Sequence, residues 1–347
     1  MLEEIISRQR KITSDPVELD RLDLPTFDSY AICNLRGGVG KTSLAFNLSY
    51  LTDNLLVIDT CPQGNLSFFY NKDYETPAGG GNVASMIYPY VIPGMGKPHH
   101  LAAKVGATNA YFEGKDVFYV PSSSELYTLP SQLITALSQA DSLPPERRTM
   151  VRDSILLSLR SEIQREMAET HTKRCLIDTS PFFSGATHLS WLAAQALIVP
   201  VRTDKQSVNS LKLLLETLTS PYKDFNKFQP STIHMPKIQM IVLTHCGWST
   251  RNGDKNVPNK QTKQYLSQIY GIVDQHISLF STDNPENHIV MLDDFLGCGR
   301  IASMLSAPID VLRPGQTAYV ERVKAKVNMS VEKIKKELHF ISNSLWT

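Results

Sequence analysis

Arg36-Gly37-Gly38-Val39-Gly40-Lys41-Thr42-Ser43 is the stretch of this chain whose residue types and spacing bear most directly on chemistry. Glycines let backbone N–H groups close around phosphate oxygens with no Cβ in the way, and a helix beginning there adds its positive dipole end. Lys41 is spaced to reach β- and γ-phosphates, and the Thr42 hydroxyl to hold Mg²⁺. The loop follows a short apolar run, Tyr30 to Cys33, and precedes a helix-like one, Leu44 to Leu48. That order of strand, glycine loop and helix points to a nucleoside triphosphate as ligand. A strict G-x-x-x-x-G-K-[ST] pattern needs Gly at position 35, where this chain has Leu35. Two carboxylates close other apolar runs: Asp59 after Leu55 to Ile58, and Asp178 after Cys175 to Ile177. A carboxylate at the C-terminal end of a parallel strand faces the nucleotide crevice, where phosphoryl-transfer sites use it to hold Mg²⁺.

The elements that must position these groups are also legible. Apolar runs at 30–33, 55–58, 117–120, 175–177, 196–201 and 238–243 are short, continuous and separated by helical stretches. Buried parallel strands read this way, so the expected fold is α/β, a doubly wound and mostly parallel sheet with P-loop NTPase topology. We divide the chain into residues 1–28, an N-terminal helix and linker, and residues 29–347, one domain with insertions near 71–115, 141–172 and 246–262. The first insertion carries Gly79-Gly80-Gly81 and a short helix near Val83 to Ile87; the second, one charged amphipathic helix from Arg147 to Glu169. All three are expected to be solvated surface additions.

The glycine loop resembles the deviant K-G-G-x-G-K-[ST] loop of the ParA/MinD family of partitioning and positioning ATPases, with Arg36 at the family's leading Lys. Leu55-Leu56-Val57-Ile58-Asp59-Thr60-Cys61-Pro62-Gln63-Gly64-Asn65 is similar to the family's second motif, and Arg174 to Pro181 to its Walker B strand. Val117 to Leu133 and Ala196 to Val201 resemble the strands that accompany them, so the likeness covers roughly residues 30–70 and 115–220, in order.

The resemblance implies ATP and Mg²⁺ as cofactors, with Gly37, Gly38, Val39, Gly40, Lys41, Thr42 and Ser43 around the phosphates. Thr42 and Asp178 would serve the metal, and Asp59 its outer shell. The family's adenine contacts fall here near Thr244-His245 and Leu292-Asp293. Its leading Lys reaches across a homodimer interface to the partner's phosphates, the role that would pass to Arg36. At Cys61 the family usually has a second Asp that positions or activates the attacking water. A thiol is a poor acceptor for that proton, so hydrolysis is expected to be slow, or to rely on Asp59 or a partner's group.

In the ParA branch an ATP-bound homodimer binds nonspecific double-stranded DNA through C-terminal Lys and Arg, and a ParB-like or adaptor protein stimulates hydrolysis. Arg322, Lys324, Lys326, Lys333 and Lys336 are the candidates here, with Arg251, Lys255, Lys260 and Lys263 as a second group. The MinD branch instead binds membranes through a C-terminal amphipathic helix. Val331, Ile334, Leu338, Ile341 and Leu345 make one apolar face at helical spacing, which a last helix packed on the core also explains. Two further readings are an ATP-bound clamp or scaffold that barely hydrolyses and a metabolic relative such as a ligase or iron–sulfur reductase. The reductase needs a cysteine pair that this chain does not offer.

Composition bounds these readings. The chain has 347 residues, 42% hydrophobic and 20% charged, as ordinary globular domains do. A net charge of +1 leaves no global basic field, so nucleic acid must be met by a local patch. Five scattered cysteines form no metal-ligand pattern and fit buried thiols in a reducing compartment. With no apolar run long enough to span a bilayer, the expected location is cytoplasmic, nucleoid-associated if DNA is the matrix. Residues 1–28 are too few for a helix-turn-helix domain, so DNA contacts are expected from the body of the protein or from a partner.

Overall fold

Apolar runs buried on both faces become the strands of one sheet, as the sequence predicts. The computed structural model describes residues 2–75, 81–232, 235–249, 256–320 and 322–347. Its strands are β1 (Ser29–Ile32), β2 (Leu55–Asp59), β3 (Ala103–Lys104), β4 (Val117–Val120), β5 (Arg174–Asp178), β6 (Ala196–Arg202), β7 (Lys237–Cys246) and β8 (Ile289–Asp293). The order across the sheet is β3-β4-β2-β5-β1-β6-β7-β8, parallel except for β3 against β4. A separate antiparallel hairpin pairs β9 (Thr317–Val320) with β10 (Val323–Lys326).

Thirteen α-helices among the described residues connect and cover these strands. They are α1 (Leu2–Thr13), α2 (Lys41–Leu51), α3 (Asn65–Tyr70), α4 (Val83–Val91), α5 (Leu129–Asp141), α6 (Pro145–Leu156) and α7 (Ser158–Thr170). The rest are α8 (Gly185–Ala193), α9 (Lys205–Thr219), α10 (Asp224–Lys227), α11 (Lys260–Gln275), α12 (Leu296–Leu305) and α13 (Val331–Trp346). Strand residues alternate between two cores. Ala31, Leu56, Ile58, Ile177 and Val199 face the core covered by α4 to α9 and α11. Tyr30, Ile32, Val57, Leu176 and Ile198 face the one covered by α2, α12 and α13.

Register brings the candidate carboxylates to one level. Asp59 pairs with Asp178, and Ile32 also pairs with Asp178, so β1, β2 and β5 end side by side. The chain winds one way from β1 to β2 and the other way to β6, which opens a crevice above those ends.

Two expectations are corrected. The 71–115 and 141–172 stretches are not surface additions: Val83, Met86, Ile87, Phe112, Ile155, Leu156, Leu159 and Ile163 are fully or almost fully buried. The single helix expected from Arg147 to Glu169 is two, α6 and α7, parted at Leu157, whose φ of −97° and ψ of 6° depart from the helical values. Within the third stretch Trp248 bridges to Pro258, while Arg251 and Lys255 lie outside the described residues, as do Gly79 and Gly80.

The apolar stripe of α13 is buried along its length, with Ile334, Leu338, Ile341 and Leu345 at most 1% exposed. It packs on β8, α1 and α2, so it presents no free membrane face. No helix among the described residues is long and apolar enough to cross a membrane.

Candidate nucleotide-binding site

The phosphate loop leaves β1 and turns into α2 at Lys41. Gly38 and Gly40 adopt positive φ, +71° and +93°, which an L side chain resists. A Cβ on Gly38 would meet nothing within 4 Å, so the loop lines open space. The first-turn amides of α2 have no intrahelical acceptor and are available to an anion. The loop entry is tied down: Cys33 N–H donates to Ile198 O (3.0 Å), Asn34 Nδ2 to Pro200 O (2.8 Å), and Ser210 Oγ to Asn34 Oδ1 (2.6 Å).

Lys41 is buried, and its ammonium donates to Asn34 O (3.1 Å) and Arg36 O (2.8 Å). Burial pulls its pKa down, against the opposing pull of Asp178. Thr42 Oγ1 donates to Asp178 Oδ2 at 2.8 Å. The other oxygen, Asp178 Oδ1, is buried with no hydrogen-bond partner among the described residues. Burial, and then the neighbouring Asp59, push the Asp178 carboxyl up to about 7. A buried acceptor lacking a donor beside a hydroxyl ligand fits a cation.

Asp59 is turned elsewhere. It accepts from Ser67 N (2.9 Å), Ser67 Oγ (2.8 Å) and Cys61 N (3.1 Å), and so fixes the chain entering α3. Burial raises it to about 6 against those donors. The structure therefore joins Thr42 with Asp178 and directs Asp59 away from Thr42. Cys61 is 5% exposed and borders a cleft of about 220 Å³ with Gly37, Lys41, Thr42, Gln63 and Thr179. Burial, then Asp59 and Asp178, push its thiol to about 12, so it stays neutral and offers the cleft no base.

Arg36 points away from that cleft. Its guanidinium donates to Asp204 and to Ser207 Oγ (2.6 Å), at the turn from β6 into α9.

On the other side of Gly40 and Ser43 lies a cleft of about 840 Å³. Thr244, Leu292 and Asp293 line it, with Arg202, Phe295 and Arg300, which sequence reasoning did not single out. Gly40 and Ser43 border both clefts, which makes one path from the phosphate end to a base-sized hollow. Thr244 Oγ1 donates to Val39 O at 3.1 Å, which ties the hollow's wall to the loop. His245 lines the same cleft; it takes φ of +56°, and burial lowers its pKa.

The candidate DNA cations divide. Arg322, Lys324 and Lys326 are exposed on the hairpin, and Tyr319 stands opposite Lys324 with 69% of its surface free. Lys333 faces inward, 3.4 Å from Asp293 and 3.8 Å from Glu337, with its ammonium over the ring of Trp248. Lys336 donates to Ser14 O at 2.7 Å. Both are engaged by the protein itself. In the second group Lys260 and Lys263 are exposed. No cluster of three or more His, Cys, Asp or Glu suited to a metal occurs among the described residues.

A family profile described as AAA domain matches residues 28–229, which span β1 to α10 and hold the phosphate loop and both aspartates. The chain belongs to this family. Within it the chain is a P-loop ATPase of the ParA/MinD type that its motifs resemble. No curated protein matches the chain. An ATP complex of a McdA variant from Cyanothece is similar in structure, with a TM-score of 0.58 at 17% identity over 92% of this chain and 98% of that one. Apo McdA from Cyanothece gives 0.54 at 19% identity, over 80% and 89%. At these identities the likeness is one of fold, and this P-loop ATPase shares it along most of its length.

Proposed function

We propose that this protein is a ParA-type ATPase: it binds ATP with Mg²⁺, closes into a homodimer, binds DNA without sequence preference and positions a cargo. One observation carries the reading. The Thr42 hydroxyl and the Asp178 carboxylate meet beside the glycine loop, with Asp178 Oδ1 buried and unpartnered, at the phosphate end of a path into a base-sized hollow. The amides from Gly37 to Ser43 hold the phosphates, and Lys41 exchanges loop carbonyls for β- and γ-phosphate oxygens. Thr42 and Asp178 hold Mg²⁺, which when bound neutralises charge on those oxygens. Thr244, Leu292 and Asp293 border the base.

Hydrolysis is slow and awaits a partner. Cys61 supplies no carboxylate to orient water, and the oxygens of Asp59 are taken up by Ser67 and Cys61 N–H. The same facts favour a second reading, a clamp that binds ATP and barely turns it over. DNA binding falls to Arg322, Lys324 and Lys326, which neutralise phosphates and release counterions. A ParB-like or adaptor protein provides the stimulus.

The test is binding to random double-stranded DNA with ATP–Mg²⁺, with ADP–Mg²⁺ and without nucleotide, at two salt concentrations. Binding confined to ATP and weakened by salt supports the cycle. ATP binding without DNA binding in any state removes DNA and leaves the clamp.

A further inference from the structure

We infer that Arg36 acts inside its own subunit, as a positioning residue that ties the phosphate loop to the turn between β6 and α9. The inference rests on the nucleotide reading of this site and departs from what the family resemblance implies for the residue. Four observations converge on it.

The guanidinium contacts two acceptors of its own chain, the Asp204 carboxylate and Ser207 Oγ, and Ser207 is fully buried. Asp204 is itself built in. It caps α9 by accepting Ser207 N–H at 2.9 Å and stands 3.7 Å from Arg202. Burial pushes its pKa upward, yet the Ser207 amide and the two guanidiniums hold it below the ordinary carboxylate value. The main chain of Arg36 sets a second contact, because its carbonyl and that of Asn34 receive the Lys41 ammonium. Asn34 is anchored to the same wall, through Pro200 O and Ser210 Oγ. The loop's leading half is thus pinned to one strand end and one helix start, and the pinning decides where Lys41 waits.

The residue type follows from this role. One terminal nitrogen, Nη1, meets both acceptors, its two N–H bonds held in the guanidinium plane, whereas an ammonium is a freely rotating point charge. The turn also borders the base-sized hollow. Arg202 lines it, and Thr203 Oγ1 donates to His245 O at 2.8 Å. The tether therefore joins the phosphate end of the site to its base end through three consecutive residues, Arg202 to Asp204.

The test uses R36A, R36K, D204A and D204N in the full chain, each checked for folding by circular dichroism. In nucleotide-free protein, R36A and D204A should raise amide hydrogen exchange from Leu35 to Gly40 and leave β4 and α11 unchanged. Each should weaken ATP–Mg²⁺ binding by about tenfold, with the double variant no weaker than either single one. R36K and D204N should recover part of the loss. Mixed dimers then separate the two roles. R36A mixed with K41A should show no more turnover than the average of the two alone. If Arg36 acted across the dimer, the equal mixture would regain about a quarter of wild-type turnover, since half the dimers would hold one complete site. That recovery, or unchanged loop exchange in both R36A and D204A, overturns the inference. Failure of the nucleotide reading shows separately, as wild-type protein that binds no ATP–Mg²⁺. The exchange measurement still decides the tether in that event.

Discussion

Cys61 concentrates the unusual chemistry of the site in one atom. The thiol borders the phosphate cleft, neutral, between two buried carboxylates already pushed upward by their surroundings. Replacing it with Asp restores an acceptor for water but adds a third carboxylate to that pocket. We expect C61D to raise single-turnover ATP hydrolysis by about tenfold or more, since water-positioning groups in such sites matter by orders of magnitude. C61S should not, because a hydroxyl is no base; equal rates in all three proteins would remove Cys61 from the argument. Residues of this kind are legible because the loop, Asp59, Cys61 and Asp178 sit in local motifs that carry their own chemistry. The partners of Arg36 and Lys333 are not legible. Arg36 meets Asp204 at a separation of 168 residues, and Lys333 turns inward only because β8 and Trp248 arrive beside it.

Elements explain why a charged stretch became core. On α7, Glu166 is fully buried and accepts Leu101 N–H at 3.1 Å and Ala102 N–H at 3.0 Å, with His100 at 2.9 Å. It fastens the segment before β3 to the helix layer, so E166A should cost on the order of 3 kcal/mol in a denaturant titration. The periodicity of 141–172 shows helix but not the break, since Ile155, Leu156, Leu159 and Ile163 keep one-face helical spacing straight across Leu157. His188 on α8 makes a second element-scale prediction. Burial among Phe183, Trp191 and Phe225 lowers its pKa to about 4 from 6.5, against the pull of the Phe228 carbonyl. Between those values the unfolded chain binds a proton that the folded chain refuses, so stability is full above pH 6.5 and falls as the pH drops towards 4. The loss is about 3 kcal/mol at the acid end. H188Q keeps a donor for Phe228 O and should flatten that part of the stability–pH curve; an unchanged slope would assign the acid sensitivity to other groups.

At the scale of the whole molecule, the two ends of the described chain close on each other over the sheet. Gln9 of α1 donates to Glu337 of α13, Lys336 to Ser14 O, and Leu22 N–H to Ser344 Oγ (2.8 Å). Tyr30 of β1 donates to Leu345 O at 2.8 Å. The doubly wound sheet was legible from six apolar runs, because buried parallel strands have a distinct signature. The two-residue β3 is too short to stand out, whereas Ile289 to Leu292 of β8 is as continuous an apolar run as that of β2. The closure of α1 on α13 was not legible, because it depends on pairs more than 300 residues apart.

Glu337 also accepts Asp293 N–H at 2.8 Å, while Lys333 pairs with Asp293 and lies over Trp248. Asp293 lines the hollow, so an indole with its own ultraviolet emission sits two contacts from the hollow's wall. We expect Trp248 to act as a built-in optical reporter of occupancy. Its emission should change when ATP–Mg²⁺ is added, and W248F should abolish the change while W191F, buried among Phe183 and Phe225, leaves it. A response that survives W248F would trace the signal elsewhere. With the response confirmed, nucleotide arrival and departure could be followed in real time on unlabelled protein, with DNA or partner present.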